Sequence, residues 1–167
     1  MCIRDSAWLV ETLRRNQEVS ALGVAAPGFV SKDRAVVHHA PNIAWRDEPL
    51  RARLEDLLSL DVTLDNDANA AGWAEYRFGA AQGSAVMVML TLGTGVGGAI
   101  VLDGALFRGA NGMAAELGHI TSTLGGRECG CGQRGCLEQY ASGRALQRAI
   151  AAVSYTHLRA HETKANL

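Results

Sequence analysis

One imidazole and three thiols stand within an eighteen-residue window, His119 followed by Cys129-Gly-Cys131-Gly-Gln-Arg-Gly-Cys136. Four such donors match a tetrahedral zinc ion with no open position. The glycines at 130, 132 and 135 let the chain fold tightly enough for three sulfurs to reach one ion. Reduced cysteines packing as small hydrophobes are the alternative, which fits badly because the residues between them are polar or glycine. Structural zinc contributes ~10–16 kcal/mol in small zinc peptides, so the metal is expected to organise this loop. Glu116 and His119 on one side of the thiols and Glu138 on the other are then drawn toward one place. Acceptors grouped in this way suit the hydroxyls of a sugar through charge-assisted hydrogen bonds, although solvated surface glutamates are the plain alternative. His119 can serve twice, with one ring nitrogen on zinc and the other, its tautomer fixed, on a ligand.

Asp65-Asn66-Asp67-Ala68-Asn69 falls where a strand pattern ends and a helix pattern begins, the edge of a sheet at which ligands bind. Helix capping explains one of these polar residues and not four. A carboxylate held there can take a proton from an alcohol, with Asn66 fixing the alcohol's orientation. Gly93-Thr94-Gly95-Val96-Gly97-Gly98 satisfies the dinucleotide spacing, but a strand and an Asp103-Gly104 hairpin signal follow it, not a helix. Such a turn still exposes backbone N–H groups and a threonine hydroxyl, and so either cradles phosphate or is a plain tight hairpin. Pro41-Asn42-Ile43-Ala44-Trp45 offers an amide and an aromatic for a sugar edge or for packing. His38 and His39 read as polar residues at a strand end.

The elements that must position these groups follow from periodicity. Ala7 to Glu18 has a helical pattern, and Val19 to Ala25 is a short buried strand ended by Pro27-Gly28. Leu50, Leu54, Leu57 and Leu58 mark one face of a helix. Val62 to Leu64 reads as a strand, and Ala68 to Phe78 as a second helix with Ala71, Ala74 and Phe78 inward. Strands separated by helices imply a mostly parallel sheet. Beyond Gly83 come the apolar strand Ala85 to Leu92, the glycine turn, and the strands Ala99–Leu102 and Ala105–Phe107. Two short helices follow from Leu137, with Ser142 placed to cap the second. Thirteen of the nineteen glycines fall between Gly93 and Gly135, which sets the two halves apart and puts a boundary at Ala81 to Ser84.

The 167 residues correspond to one ordinary domain, and 48% hydrophobic residues suffice for a packed core. Sixteen Lys and Arg against seventeen Asp and Glu leave no cationic excess for nucleic acid. No apolar run approaches the ~20 residues of a membrane span, and the start lacks an export signal, so a cytoplasmic protein is expected. Residues 1–6 and 153–167 break the periodicity and resemble translated linker sequence, leaving 7–82 as one α/β domain and 83–152 as a second.

Six motifs then occur in order: APGF at 26–29, PNIAW at 41–45, DNDANAA at 65–71, TLGTGVGGAI at 91–100, AELGH at 115–119 and CGCGQRGCLEQYASGRAL at 129–146. Together they resemble the ROK family of repressors, uncharacterised reading frames and sugar kinases, and within it the ATP-dependent glucokinases of actinobacteria. The resemblance runs from about Ala7 to Ala152. It implies an α/β, actin-like ATPase (ribonuclease H-like) fold of two lobes, here partial, with a zinc-binding loop. By the same resemblance Asp67 matches the base that accepts the proton of the sugar 6-hydroxyl as it attacks the γ-phosphate of ATP. Asn42, Asn66, Glu116, His119 and Glu138 match sugar contacts, and His119, Cys129, Cys131 and Cys136 match a structural zinc site. Gly93, Thr94, Gly95, Gly97 and Gly98 match a phosphate loop for ATP and its Mg²⁺. A hexose and ATP are the implied partners, with no nucleic acid or membrane, in a homodimer or homotetramer. The relatives also act on mannose, fructose, allose or N-acetylated hexosamines such as N-acetylmannosamine, and some are sugar-responsive repressors. The family's N-terminal Asp-x-Gly-Gly-Thr loop and its C-terminal adenosine segment have no counterpart here, so the chain alone is expected to phosphorylate poorly or not at all.

Overall fold

The computed structural model describes residues 3–40 and 43–162, with backbone alone at Arg4 and from 154 onward. The chain forms two compact units, one made of residues up to Met87 together with Ala99–Ala115, the other of Val88–Gly98 and the residues from Glu116. Helix α1 covers Ile3–Arg14, followed by β1 (Ala21–Ala26), β2 (Phe29–Val30), β3 (Val37–His39), β4 (Arg46–Glu48), α2 (Leu50–Leu58), β5 (Asp61–Asn66) and α3 (Asp67–Phe78). Then come β6 (Val86–Leu92), β7 (Val96–Leu102), β8 (Ala105–Leu106), a 3₁₀ turn at Leu117–His119, α4 (Glu138–Ala141) and α5 (Gly143–Glu162).

In the first unit β1 and β5 pair in parallel, from Ala21 opposite Asp61 to Ala26 opposite Asn66. That register brings both strands to their carboxyl ends at one level, where the Pro27-Gly28 turn and the Asp65–Asp67 segment begin. Strands β2, β3 and β4 form a separate antiparallel sheet. The mostly parallel sheet expected from alternating helices and strands is therefore realised in the β1–β5 pair, while two- and three-residue strands without any readable period make the second sheet. The core gathers Val10 of α1, Leu50, Leu54 and Leu58 of α2, Val62 and Leu64 of β5, and Val30 and Val37. Full burial of each such side chain is worth ~1.5–3 kcal/mol.

Two expected helix faces differ. Leu57 is 54% exposed, because the buried row of α2 follows strict four-residue steps. On α3 the inward residues are Ala68, Asn69 and Gly72, whereas Ala71, Ala74 and Phe78 face water. Ala68 and Gly72 on the inner face of α3 permit close packing. Asp103 and Gly104 both take positive φ, 46° and 82°, as a two-residue hairpin turn requires.

Among the described residues the second unit buries few apolar side chains, namely Val96, Ala145 and the thiols Cys129 and Cys136. Ser142 caps α5 by accepting the Ala145 N–H at 3.2 Å. Helix α5 runs to Glu162, past Val153 where the periodicity reading placed its end. Among the described residues no helix is long and apolar enough to cross a membrane.

Candidate functional site

The first unit builds a polar centre where β5 passes into α3. Asn66 is the N-cap, its Oδ1 accepting the Asn69 N–H at 3.0 Å, a contact worth ~1 kcal/mol. Its Nδ2 donates to the Gly28 carbonyl at 3.0 Å and to Asp67 Oδ1 at 3.1 Å. Asp67 Oδ1 also accepts the Ala68 N–H at 2.9 Å. The exposed Asp67 carboxylate is thus held through one oxygen, while Oδ2 takes part in neither bond. Gly28, at φ 94°, is obligatory here, since a Cβ would lie 2.1 Å from the His39 carbonyl oxygen.

Asp65 faces a different task. Its Oδ1 accepts the Asn66 N–H at 2.9 Å, and its Oδ2 pairs with the Arg108 guanidinium. Both side chains are largely buried. Arg108 also anchors its own loop, accepting the Ala114 N–H on its carbonyl at 3.1 Å. Neither Gly28 nor Arg108 was singled out as a site residue by motif spacing, because their partners lie 38 and 43 positions away. A neighbouring cleft of about 550 Å³ is walled by Thr63, Asp65, Trp73, Leu106 and Arg108 without Asn66 or Asp67, so the exposed carboxylate opens elsewhere.

In the second unit the turn between β6 and β7 is closed by Gly93 donating to the Gly95 carbonyl at 3.0 Å. Gly97 donates to Thr91 Oγ1 at 3.2 Å, and Val96 donates to Glu138 Oε2 at 2.9 Å. The N–H groups of Thr94 and Gly95 take part in none of these bonds.

The thiols and His119 converge, with all four ligand atoms within 4.8 Å of one another. Cys131 Sγ lies 3.7 Å from Cys136 Sγ, and Cys129 Sγ lies 3.5 Å from His119 Nδ1. A tetrahedron with Zn–S near ~2.3 Å and Zn–N near ~2.05 Å has edges of about 3.8 and 3.6 Å, close to these two separations, so the donor set fits zinc once its longer separations draw in. Their loop is a small ribbon, with bridges between Thr121 and Cys136 and between Glu128 and Arg134. Gly135, at φ 78°, would place a Cβ 1.7 Å from the Thr123 carbonyl oxygen, while a Cβ on Gly130 would meet nothing within 4 Å. Of the three glycines expected to shape the loop, Gly130 is therefore unconstrained. Burial pushes the Cys136 thiol up to about 12, reinforced by the neighbouring Cys131 and Cys129. Burial also raises Cys129, but hydrogen bonds from the Cys131 backbone and side chain outweigh it and bring that thiol down to about 7.

Glu116 precedes the Leu117–His119 turn, whose last N–H returns to the Glu116 carbonyl at 3.0 Å. Asn42 lies outside the described residues. Trp45 packs against the first unit's core, which favours the packing role for that aromatic. His38 Nδ1 meets Asp47 Oδ1 at 2.8 Å on the surface.

The ROK family profile matches residues 6–166. The glucokinase of Streptomyces coelicolor is 50% identical over 139 residues, 83% of this chain and 44% of its own length. The xylose repressor of Bacillus subtilis is 36% identical over 129 residues, 77% of this chain and 33% of its own. Among solved structures, a ROK family glucokinase from Streptomyces griseus in complex with glucose and AMPPNP superposes with a TM-score of 0.81 at 48% identity. That match covers 91% of this chain and 50% of the other. The fold is accordingly the α/β, actin-like ATPase fold of ROK kinases, and the chain spans half or less of the length of these relatives.

Proposed function

Because the chain belongs to the ROK family, we propose that it is part of an ATP-dependent glucokinase, which transfers the γ-phosphoryl group of ATP to the 6-hydroxyl of glucose. The observation that carries this reading is the Asp67 carboxylate, pinned through Oδ1 by Asn66 Nδ2 and the Ala68 N–H at an exposed helix start. Oδ2 accepts the hydroxyl proton as the oxygen attacks phosphorus and the bond to the departing ADP oxygen breaks. The transition state of such transfers is loose and the proton leaves late, so holding the acceptor in place matters more than its basicity.

Asn42 and Asn66 orient the sugar, and Glu116, His119 and Glu138 accept or donate to its remaining hydroxyls. With His119 Nδ1 turned toward Cys129, the ring's Nε2 is the nitrogen left for a hydroxyl. The Gly93–Gly98 run, through Thr94 and Gly95, meets the phosphates of ATP, which arrives with its Mg²⁺. Zinc on His119, Cys129, Cys131 and Cys136 is structural and closes the loop that carries Glu138. The chain then contributes parts of both lobes of the kinase.

Glucose is favoured by the S. coelicolor relative and by the sugar in the S. griseus complex. The second reading, a sugar-responsive repressor, is supported by the Bacillus subtilis protein. It leaves Asp67 and the open N–H groups of the glycine turn without a task.

A chimera carrying residues 7–152 within the S. coelicolor enzyme tests the assignment. Asp67→Asn is expected to lower kcat about 10²–10⁴-fold with little change in the KM for glucose. Retained kcat would refute Asp67 as the base, and sugar binding without any ATP turnover in the unmutated chimera would favour the repressor.

A further inference from the structure

We propose that Glu138 is a positioning residue for the Gly93–Gly95 turn, so that one side chain holds both a sugar hydroxyl and the backbone that faces phosphate. The functional half of this inference rests on the kinase reading above, whereas the structural half does not.

The turn is gripped by segments adjoining the thiol cluster. Glu138 Oε2 accepts the Val96 N–H at 2.9 Å, and a Cβ on Gly95 would fall 2.4 Å from that same oxygen. The carboxylate therefore fills the inside of the turn. Gly143, at the start of α5, donates to the Gly93 carbonyl at 2.7 Å. Gly118, between Glu116 and His119, lies so close to Val96 that a Cβ would meet its carbonyl oxygen at 2.2 Å. Glu138 itself is fixed, because the Gln139 N–H returns to the Cys136 carbonyl and the Leu137 N–H to the Ile120 carbonyl, both at 2.9 Å.

A glycine-rich turn is conformationally loose by default. Here its inward N–H at Val96 is tied to a charged acceptor, which makes a shorter and stronger bond than a neutral one. The remaining donors, on Thr94 and Gly95, are thereby presented in one arrangement. Oε2 is the oxygen that meets the Val96 N–H, and on the kinase reading Oε1 takes the hydroxyl. A side chain whose task is the sugar alone has no reason to seat an oxygen beneath the phosphate turn.

Amide hydrogen exchange of the ¹⁵N-labelled, zinc-loaded chain reads the structural half, with the Leu64 amide in the β1–β5 pair as fold control. Glu138→Ala is expected to speed exchange at Val96 about tenfold or more, while Glu138→Gln, which keeps an acceptor oxygen, stays near the unmutated chain. Unchanged Val96 exchange in Glu138→Ala would overturn the proposal. Should that variant lose its fold, Gly95→Ala takes its place, since the added methyl meets the carboxylate and is expected to raise Val96 exchange. No rise there would overturn the proposal equally.

In the chimera, the dissociation constant for Mg-AMPPNP measured without sugar reads the functional half. Glu138→Ala is expected to weaken it about tenfold, with Glu138→Gln recovering most of the loss. A residue that only touches sugar would leave this value unmoved, and that result would overturn the functional half. If the unmutated chimera binds no nucleotide, the kinase reading fails while the Val96 measurement still stands on its own.

Discussion

Asp65 and Asp67 stand two positions apart and carry the same functional group, yet their surroundings divide the work. Asp65 is turned inward and neutralises Arg108, while Asp67 is turned outward with one oxygen held by Asn66 and Ala68. The Asp-Asn-Asp-Ala-Asn pattern shows more polar side chains than a single helix cap uses. It does not tell which acid is structural, because Arg108 and Gly28 reach it only through tertiary folding and no local spacing encodes them. Backbone strain is likewise invisible in sequence. Ala115 sits at φ 66°, where an L side chain crowds its own carbonyl. Left-handed backbone costs ~1–2 kcal/mol for such a residue, and the extra freedom of glycine in the unfolded chain offsets ~0.5–1 kcal/mol of the relief. Ala115→Gly is therefore expected to stabilise the chain by about 0.5–1 kcal/mol, a rise in Tm of about 1–4 °C. Thermal unfolding followed by circular dichroism checks this, and a lowered Tm would contradict it.

At the level of elements, α2, β5 and the Asp103-Gly104 hairpin were legible because each has a clear period or turn chemistry. Strands β2 to β4 were not, since two or three residues carry no period, and the inner face of α3 was misassigned because alanines lie on both of its faces and the buried row runs through Ala68, Asn69 and Gly72 instead of Ala71, Ala74 and Phe78. The convergence of His119 and the three thiols was legible, though only its geometry separates the glycines. Gly135→Ala pushes a methyl onto the Thr123 carbonyl and is expected to cost most of the bound zinc, whereas Gly130→Ala is expected to keep one zinc per chain. Metal analysis of the two purified variants checks this, and equal zinc content would contradict it. The ribbon's metal affinity should also fall in acid. Cys136, pushed up to about 12, is protonated near neutrality, so zinc binding must expel that proton. Lowering the pH then opposes binding, by about tenfold per unit for each proton released. Calorimetry in buffers of differing ionisation enthalpy is expected to register net proton release at pH 7, and proton uptake would contradict the assignment of thiolate ligands.

For the whole molecule, motif order sufficed to place the chain in its family, and the chain spans half or less of the length of the relatives it matches. Strand β6 leaves Val86, Val88, Leu90 and Leu92 exposed on alternate positions, a run of apolar surface that soluble monomers rarely present to water. Among the described residues the second unit buries few apolar side chains, so its stability is expected to fall when zinc is withheld from the ribbon. A chain so built is expected to hold zinc, and its catalytic turnover should require the remainder of the protein. The most direct measurement is a coupled assay for glucose 6-phosphate, run in parallel on the 167-residue chain and on the chimera with the S. coelicolor enzyme. ATP-dependent product is expected from the chimera and at least about a hundredfold less from the chain alone, since the positioning of nucleotide supplies most of the rate. A chimera that folds and binds glucose yet forms no glucose 6-phosphate would contradict it.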